Sequence, residues 1–208
     1  MKVLKIEGIN RRMLYQIFPQ IVYQDNLDIS NYVLEGIEFD EGFSSNDCIL
    51  NLEQFKDIKN QIETHLKKYT YEVLGIDKDI EFYITRSWLY KVDTPKPEAN
   101  AHHHTNSFFT GVLYLSIEEQ KDAISFEKKY NFQYLNYSFE EANIYNQTKV
   151  TFFPKKNDLL IFDAALPHAI GAHLSNYLRL SLAFEVFAKG SFGSHNRLEH
   201  YNIGKLIL

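Results

Sequence analysis

The chain has 208 residues, 45% hydrophobic and 24% charged, enough for one domain with a substantial core and too few for two comfortable ones. Aspartate and glutamate (27) outnumber lysine and arginine (22), so the net charge is −5, and the scattered cations form no footprint for nucleic acid. One cysteine, Cys48, excludes an intramolecular disulfide and suits a reducing, cytoplasmic setting; charges interrupt the N-terminal apolar runs, which argues against a signal peptide, and no stretch reaches the roughly 18 apolar residues of a membrane span.

Through about residue 45, short apolar runs such as IFPQIVY alternate with polar residues and with Gly36 and Gly42, a pattern of short strands and loops. Between about 52 and 74 the pattern changes. Phe55, Ile58, Ile62, Leu66, Tyr69 and Val73 recur at helical spacing and predict one amphipathic helix. Asn51 and Gln54 have the spacing of a capping box, and Gly75 is placed to end the helix. His65, beside the apolar stripe, reads as structural.

From about 80 to 188 the chain reads as β. Glu81–Val92 is rich in aromatic and β-branched residues, with Phe82, Ile84, Trp88 and Tyr90 on one parity. Pro95 and Pro97 then impose a loop. Further strands are expected at Ser107–Ser116, Ala123–Lys128, Lys149–Pro154, Asp158–Ala164 and Tyr177–Ala188, with turn chemistry in KKND and LSN. The Tyr- and Asn-rich segment Tyr130–Gln147 is long enough to be a substrate-contacting loop, or a surface insertion packed on its own aromatics. Residues 189–208 are polar until a final KLIL, an end suited to docking on the body or on a second copy in a homodimer. One helix followed by six or more closely spaced strands gives a single domain, 1–208, that is mainly β: a barrel or jelly roll with the helix on one outer face.

Two stretches carry the chemistry. In AHHHTNSFFTGVLYLS, residues 101–116, an extended backbone sends His102 and His104 to one face and His103 to the other. Two imidazoles on one face are half of a metal site. The best third ligand is His168, in a turn begun by Pro167. Eleven residues later the last strand separates Leu178, Leu180, Leu182, Phe184 and Val186 from Arg179, Ser181, Ala183 and Glu185. If the leucine face packs under the helix, Arg179 points inside, where its charge requires an anion, either a protein carboxylate or an anionic ligand.

These stretches resemble the iron(II)- and 2-oxoglutarate-dependent dioxygenases, and more narrowly a microbial and phage branch with an H-x-H segment running into N-S-x-x-S-G-V-Y-Y. Here the motif runs from His102 to Tyr114, with Thr110 for the serine and Leu113 for the first tyrosine. Ser87-Trp88, Ile124-Ser125-Phe126, DLLIFDAALPH and RLSLAFE also match, so the resemblance spans the expected β core. It implies a double-stranded β-helix that holds one Fe(II) through His102, His104 and His168. Arg179, helped by Ser181, would bind the far carboxylate of 2-oxoglutarate, and substrate oxidation would yield succinate and CO2. The superfamily's usual pattern is His-x-Asp followed by a distal histidine. No Asp stands at that spacing here. Either His104 replaces the carboxylate in a three-histidine site, which imidazole's strength as a ligand favours, or His104 is the first ligand with Asn106 two residues on. Asp163 would be a carboxylate from outside the motif. Tyr90 and Tyr114, with Trp88, have the parity to line the pocket. The implied substrate is a small molecule or peptide rather than nucleic acid. Rival readings are a cupin-type three-histidine dioxygenase that does not use 2-oxoglutarate, such as a thiol dioxygenase, and a non-enzymatic metal-binding jelly roll.

Overall fold

Alternating apolar residues become two facing antiparallel sheets in the computed structural model, which describes residues 3–4, 14–15, 19–30, 32–128, 138–143, 145–193 and 201–204. In chain order the elements are β1 (Val3–Leu4), β2 (Leu14–Tyr15), β3 (Val22–Asn26), β4 (Phe39–Asp40), β5 (Phe43–Ser44), α1 (Lys56–Lys67) and β6 (Ile80–Val92). Then follow β7 (Phe109–Ser116), β8 (Ile124–Glu127), β9 (Lys149–Phe152), β10 (Asp158–Asp163), β11 (His168–Ile170), β12 (Arg179–Phe192) and β13 (Tyr201–Ile203). The large sheet has the order β3-β10-β7-β12-β6-β5-β4, with β13 also paired to β12, and the small sheet has the order β11-β8-β9. Among the described residues β1 and β2 pair with each other alone. This is the double-stranded β-helix, or jelly roll, that the strand pattern implied.

The large sheet is covered on both faces. On one, Phe55, Ile58, Ile62, Leu66 and Tyr69 of the helical segment pack with Leu89, Leu113, Leu182, Phe184 and Val186. On the other, Tyr114, Leu160 and Phe162 meet Ile124 and Phe126 of the small sheet. Gly111 permits the tightest approach: a Cβ there would lie 2.2 Å from Phe184 Cζ and 2.8 Å from the Leu160 carbonyl oxygen.

Four sequence expectations are corrected. The helix begins with two short 3₁₀ turns and, after α1, widens into a π-helical stretch at Lys68–Val73 before Gly75, at φ +66°, ends it. The capping box does not form, because tertiary contacts claim both side chains. Asn51 Oδ1 accepts from Lys59 Nζ at 2.9 Å, and Gln54 Nε2 donates to the Glu35 carbonyl at 3.2 Å. In β6 the register against β12 slips between Arg86 and Ile84, so Phe82 and Ile84 join the helix-side core while Trp88 and Tyr90 stay on the opposite parity. An unpaired Thr85 supplies the extra residue of this β-bulge. Finally, His168 opens a strand rather than sitting in a turn, and β12 runs on to Phe192, where β13 pairs with it. His65 is structural as expected, its Nδ1 2.7 Å from the Tyr23 hydroxyl. Half of Tyr130–Gln147, and Lys205–Leu208 with its KLIL end, lie outside the described residues.

Candidate metal centre and co-substrate pocket

After β6 the proline-bearing segment doubles back along β11 as an added edge. Lys96 and His173 exchange backbone hydrogen bonds of 2.8 and 2.9 Å, Ala99 N–H donates to the Ile170 carbonyl at 2.9 Å, and His102 and His168 exchange two of 2.9 Å. His102 and His168 are therefore direct cross-strand partners, which brings side chains together on one face. Two residues on, His104 rejoins that face, held by its N–H to the Ala164 carbonyl at 2.9 Å. One ring nitrogen from each of the three histidines lies within 4.8 Å of the others. His103 points elsewhere, into a neighbouring cleft.

Each Nδ1 faces an oxygen. His104 Nδ1 is 2.7 Å from Glu185 Oε1, His168 Nδ1 is 2.9 Å from the Leu166 carbonyl, and His102 Nδ1 is 3.4 Å from the Asn100 carbonyl. Carbonyl and carboxylate oxygens only accept, so Nδ1 carries a proton and Nε2 is the atom left to ligate. Burial also pushes the proton affinity of His168 down to about 4 and that of His102 below its usual value. Three imidazoles, each with Nδ1 engaged and Nε2 left to ligate, are a donor set suited to a borderline divalent ion such as Fe(II). The carboxylate alternative does not join them: Asp163 Oδ1 accepts from the Ala165 N–H at 2.7 Å in the turn after β10; Asn106, at φ +59°, lines a cleft with His103 and His104.

Arg179 lies on the same face of β12 as Glu185, the partner of His104. It is 2% exposed, and its Nη1 donates to the Gly171 carbonyl at 3.2 Å. Its nearest carboxylate, Asp122, is 3.9 Å from Nη1, too far for a hydrogen bond. Asp122 is instead engaged by His173 Nδ1 at 2.7 Å and by the Glu118 N–H at 2.9 Å. Among the described residues Arg179 Nε has no partner. A buried guanidinium with an orphaned N–H is a site for an anion, and it opens on a cavity of about 270 Å³ that runs past Tyr90, Lys96 and Ile170 to Asn100, whose carbonyl faces His102. The register sets Tyr90, Ser181 and Tyr114 in one row across β6, β12 and β7. Tyr90 forms cavity wall, whereas Tyr114 is fully buried in the inter-sheet core, and burial holds its hydroxyl well above the usual tyrosine range. Trp88 flanks His104, ring centroids 6.1 Å apart.

The sequence reading did not find Asp122 or His173, and it placed Glu185 on the right face without a role. Only parity pointed to Glu185; no local pattern marked the other two.

Residues 86–185 match a family described as "Putative 2OG-Fe(II) oxygenase". Over this segment, just under half of the chain, the protein is similar to the 2OG-Fe(II) oxygenases. The three histidines, Arg179 and Glu185 all lie within it. The epimerase SnoN, solved with Fe3+, alpha ketoglutarate and nogalamycin RO, superposes with a TM-score of 0.50 at 13% identity over 72% of this chain and 66% of that one. An oxidoreductase of the 2OG-Fe(II) oxygenase family from Burkholderia pseudomallei gives 0.47 at 13% identity, covering 65% and 58%. HygX from Streptomyces hygroscopicus, with nickel, 2-oxoglutarate and hygromycin B, gives 0.46 at 13% identity, covering 74% of each chain. The chain thus spans under two thirds of the Burkholderia protein, and at such identities the likeness concerns the fold alone. No curated protein matches the sequence.

Proposed function

We propose that the protein is a non-haem Fe(II)- and 2-oxoglutarate-dependent dioxygenase acting on a small-molecule or peptide substrate. The observation that carries this is a cluster of three histidines, one of them held by Glu185 of β12, together with a buried arginine on the same face of β12 whose Nε is unmatched among the described residues. His102, His104 and His168 would hold the iron. Arg179 would fork onto the far carboxylate of 2-oxoglutarate, with the Ser181 hydroxyl as a second donor and Tyr90 walling the pocket around the chain between the carboxylates. Gly171 and the Asp122–His173 pair hold the guanidinium in place before the ligand arrives. Bound iron and 2-oxoglutarate supply the oxidising chemistry, with succinate and CO2 as co-products. Substrate would approach through the cleft of about 330 Å³ beside His104, whose lining of Thr85, Arg86, His103, Thr105, Asn106 and Glu185 is polar throughout and selects a hydrogen-bonding substrate.

An anaerobic titration tests the reading. One Fe(II) per chain should bind, and 2-oxoglutarate should then raise the metal-to-ligand charge-transfer band of the chelate; His168→Ala abolishes both. The all-histidine donor set equally fits a cupin-type dioxygenase that binds its own substrate's carboxylate on Arg179. Oxygen uptake by the iron-loaded protein without succinate would establish that alternative and overturn the use of 2-oxoglutarate.

A further inference from the structure

We infer that Glu185 supplies, one hydrogen bond outside the ligand shell, the negative charge that a three-histidine site lacks, and that it is the positioning residue for His104. The inference rests on the proposed metal reading. Glu185 stands on the cavity face of β12, opposite Arg86 and Thr110, with its side chain only 11% exposed. A carboxylate taken this far out of water needs a cation or several donors. Its cross-strand neighbour Arg86 does not serve, because that guanidinium faces Asp47 at 3.4 Å and lies over the Trp88 ring at 5.5 Å. The contact Glu185 does make is with His104 Nδ1, at 2.7 Å, between two side chains of 11% and 13% exposure.

His104 stands where the usual motif has its carboxylate. Three neutral imidazoles leave a divalent ion with its full charge, whereas two imidazoles and a carboxylate leave one unit less. Glu185 restores that difference through the imidazole. Accepting from Nδ1–H, it fixes the tautomer, aims Nε2 at the ion and makes it a stronger donor. The metal in turn balances the buried carboxylate, so the two halves of the arrangement account for each other. His102 and His168 have only backbone carbonyls behind them. The charge compensation is therefore confined to the ligand that departs from the pattern.

The test is anaerobic metal binding, with no turnover required. Fe(II) and Co(II) affinities are measured by chelator competition for the natural protein, Glu185→Gln and Glu185→Ala, with the visible d–d bands of the Co(II) forms recorded alongside. Gln keeps the shape and an oxygen for His104 but removes the charge; Ala removes both. Affinity should fall about 10-fold for Glu185→Gln and up to about 100-fold for Glu185→Ala, with the Co(II) bands displaced. Should the Ala variant not fold, the near-isosteric Gln variant carries the test alone. If the natural protein binds metal and Glu185→Gln binds it equally tightly with an unchanged Co(II) spectrum, the inference falls and the metal reading stands. If the natural protein binds no metal, both fall.

Discussion

The two faces of β12 are built from one run of alternating residues and do opposite things. Toward the helix, Leu180, Leu182, Phe184 and Val186 are wholly buried and touch only other apolar groups. Toward the cavity, Arg179, Ser181 and Glu185 are almost as buried, at 2%, 5% and 8%, yet all three are polar. Burial of the first face stabilises the fold; burial of the second costs stability unless each group meets a partner. Glu185 has one in His104, whereas Arg179 keeps a free N–H. The strand thus divides stability from chemistry by parity alone, and changes on one face should leave the other's property standing.

The largest effect is expected on the helix side. Phe184→Ala removes a fully buried ring and should cost about 3–5 kcal/mol in chemical denaturation. Whatever fraction stays folded should bind Fe(II) as before; a matching loss of metal affinity would show that the two faces are not separable. On the cavity side, Arg179→Met should weaken 2-oxoglutarate by about 100-fold or more, roughly 2.7 kcal/mol, in calorimetric titration of the Fe(II) form. Stability should fall by less than for Phe184→Ala, because Asp122 retains His173 as its partner. Unchanged 2-oxoglutarate affinity would reduce Arg179 to half of a structural ion pair.

A third variant probes how closely the helix-side face is fitted. Gly111→Ala places a methyl 2.2 Å from Phe184 Cζ and 2.8 Å from the Leu160 carbonyl oxygen. Overpacking of this kind should cost about 1–3 kcal/mol. Adding Phe184→Leu should recover part of the loss, since the ring contact disappears while the backbone contact remains. A double variant no better than the sum of the two singles would mean that the backbone contact dominates.

Much of this was legible in the sequence for a physical reason: parity and helical spacing are local, and burial obeys them. The stripe Phe55–Tyr69, the faces of β12 and the separation of His103 from His102 and His104 follow from spacing, whereas the joining of His168 to that pair rested on the family resemblance. What was not legible depends on partners distant in the chain. The bulge at Thr85 exists only relative to β12, and without it Phe82 and Ile84 would have turned into the cavity. Asp122 meets His173 across 51 residues, and Glu185 meets His104 across 81. A lone carboxylate in a loop or on a strand gives no local sign of such a partner. The capping box failed in the same way, with Asn51 and Gln54 drawn to Lys59 and to the backbone of residue 35.

The smallest effect belongs to a titratable group on the helix side. Burial under the helix pushes the Tyr69 hydroxyl up to about 12 from its ordinary 10.0. An unfolded chain releases this proton near pH 10, the folded protein only near 12, so between them the folded state holds the extra proton. Stability from Tyr69 is therefore whole below pH 10 and declines as pH rises through 12. Tyr69→Phe lacks that decline, so at pH 11 the natural protein should have lost roughly 1 kcal/mol more of its neutral-pH stability than the variant. Tyr23, also pushed up to about 12, is common to both proteins and cancels in the difference. Parallel stability curves from pH 9 to 12 would place the Tyr69 hydroxyl in water in the folded protein. A variant that instead altered 2-oxoglutarate affinity at neutral pH would show that the helix-side core reaches through β12 to the cavity, against the division its two faces display.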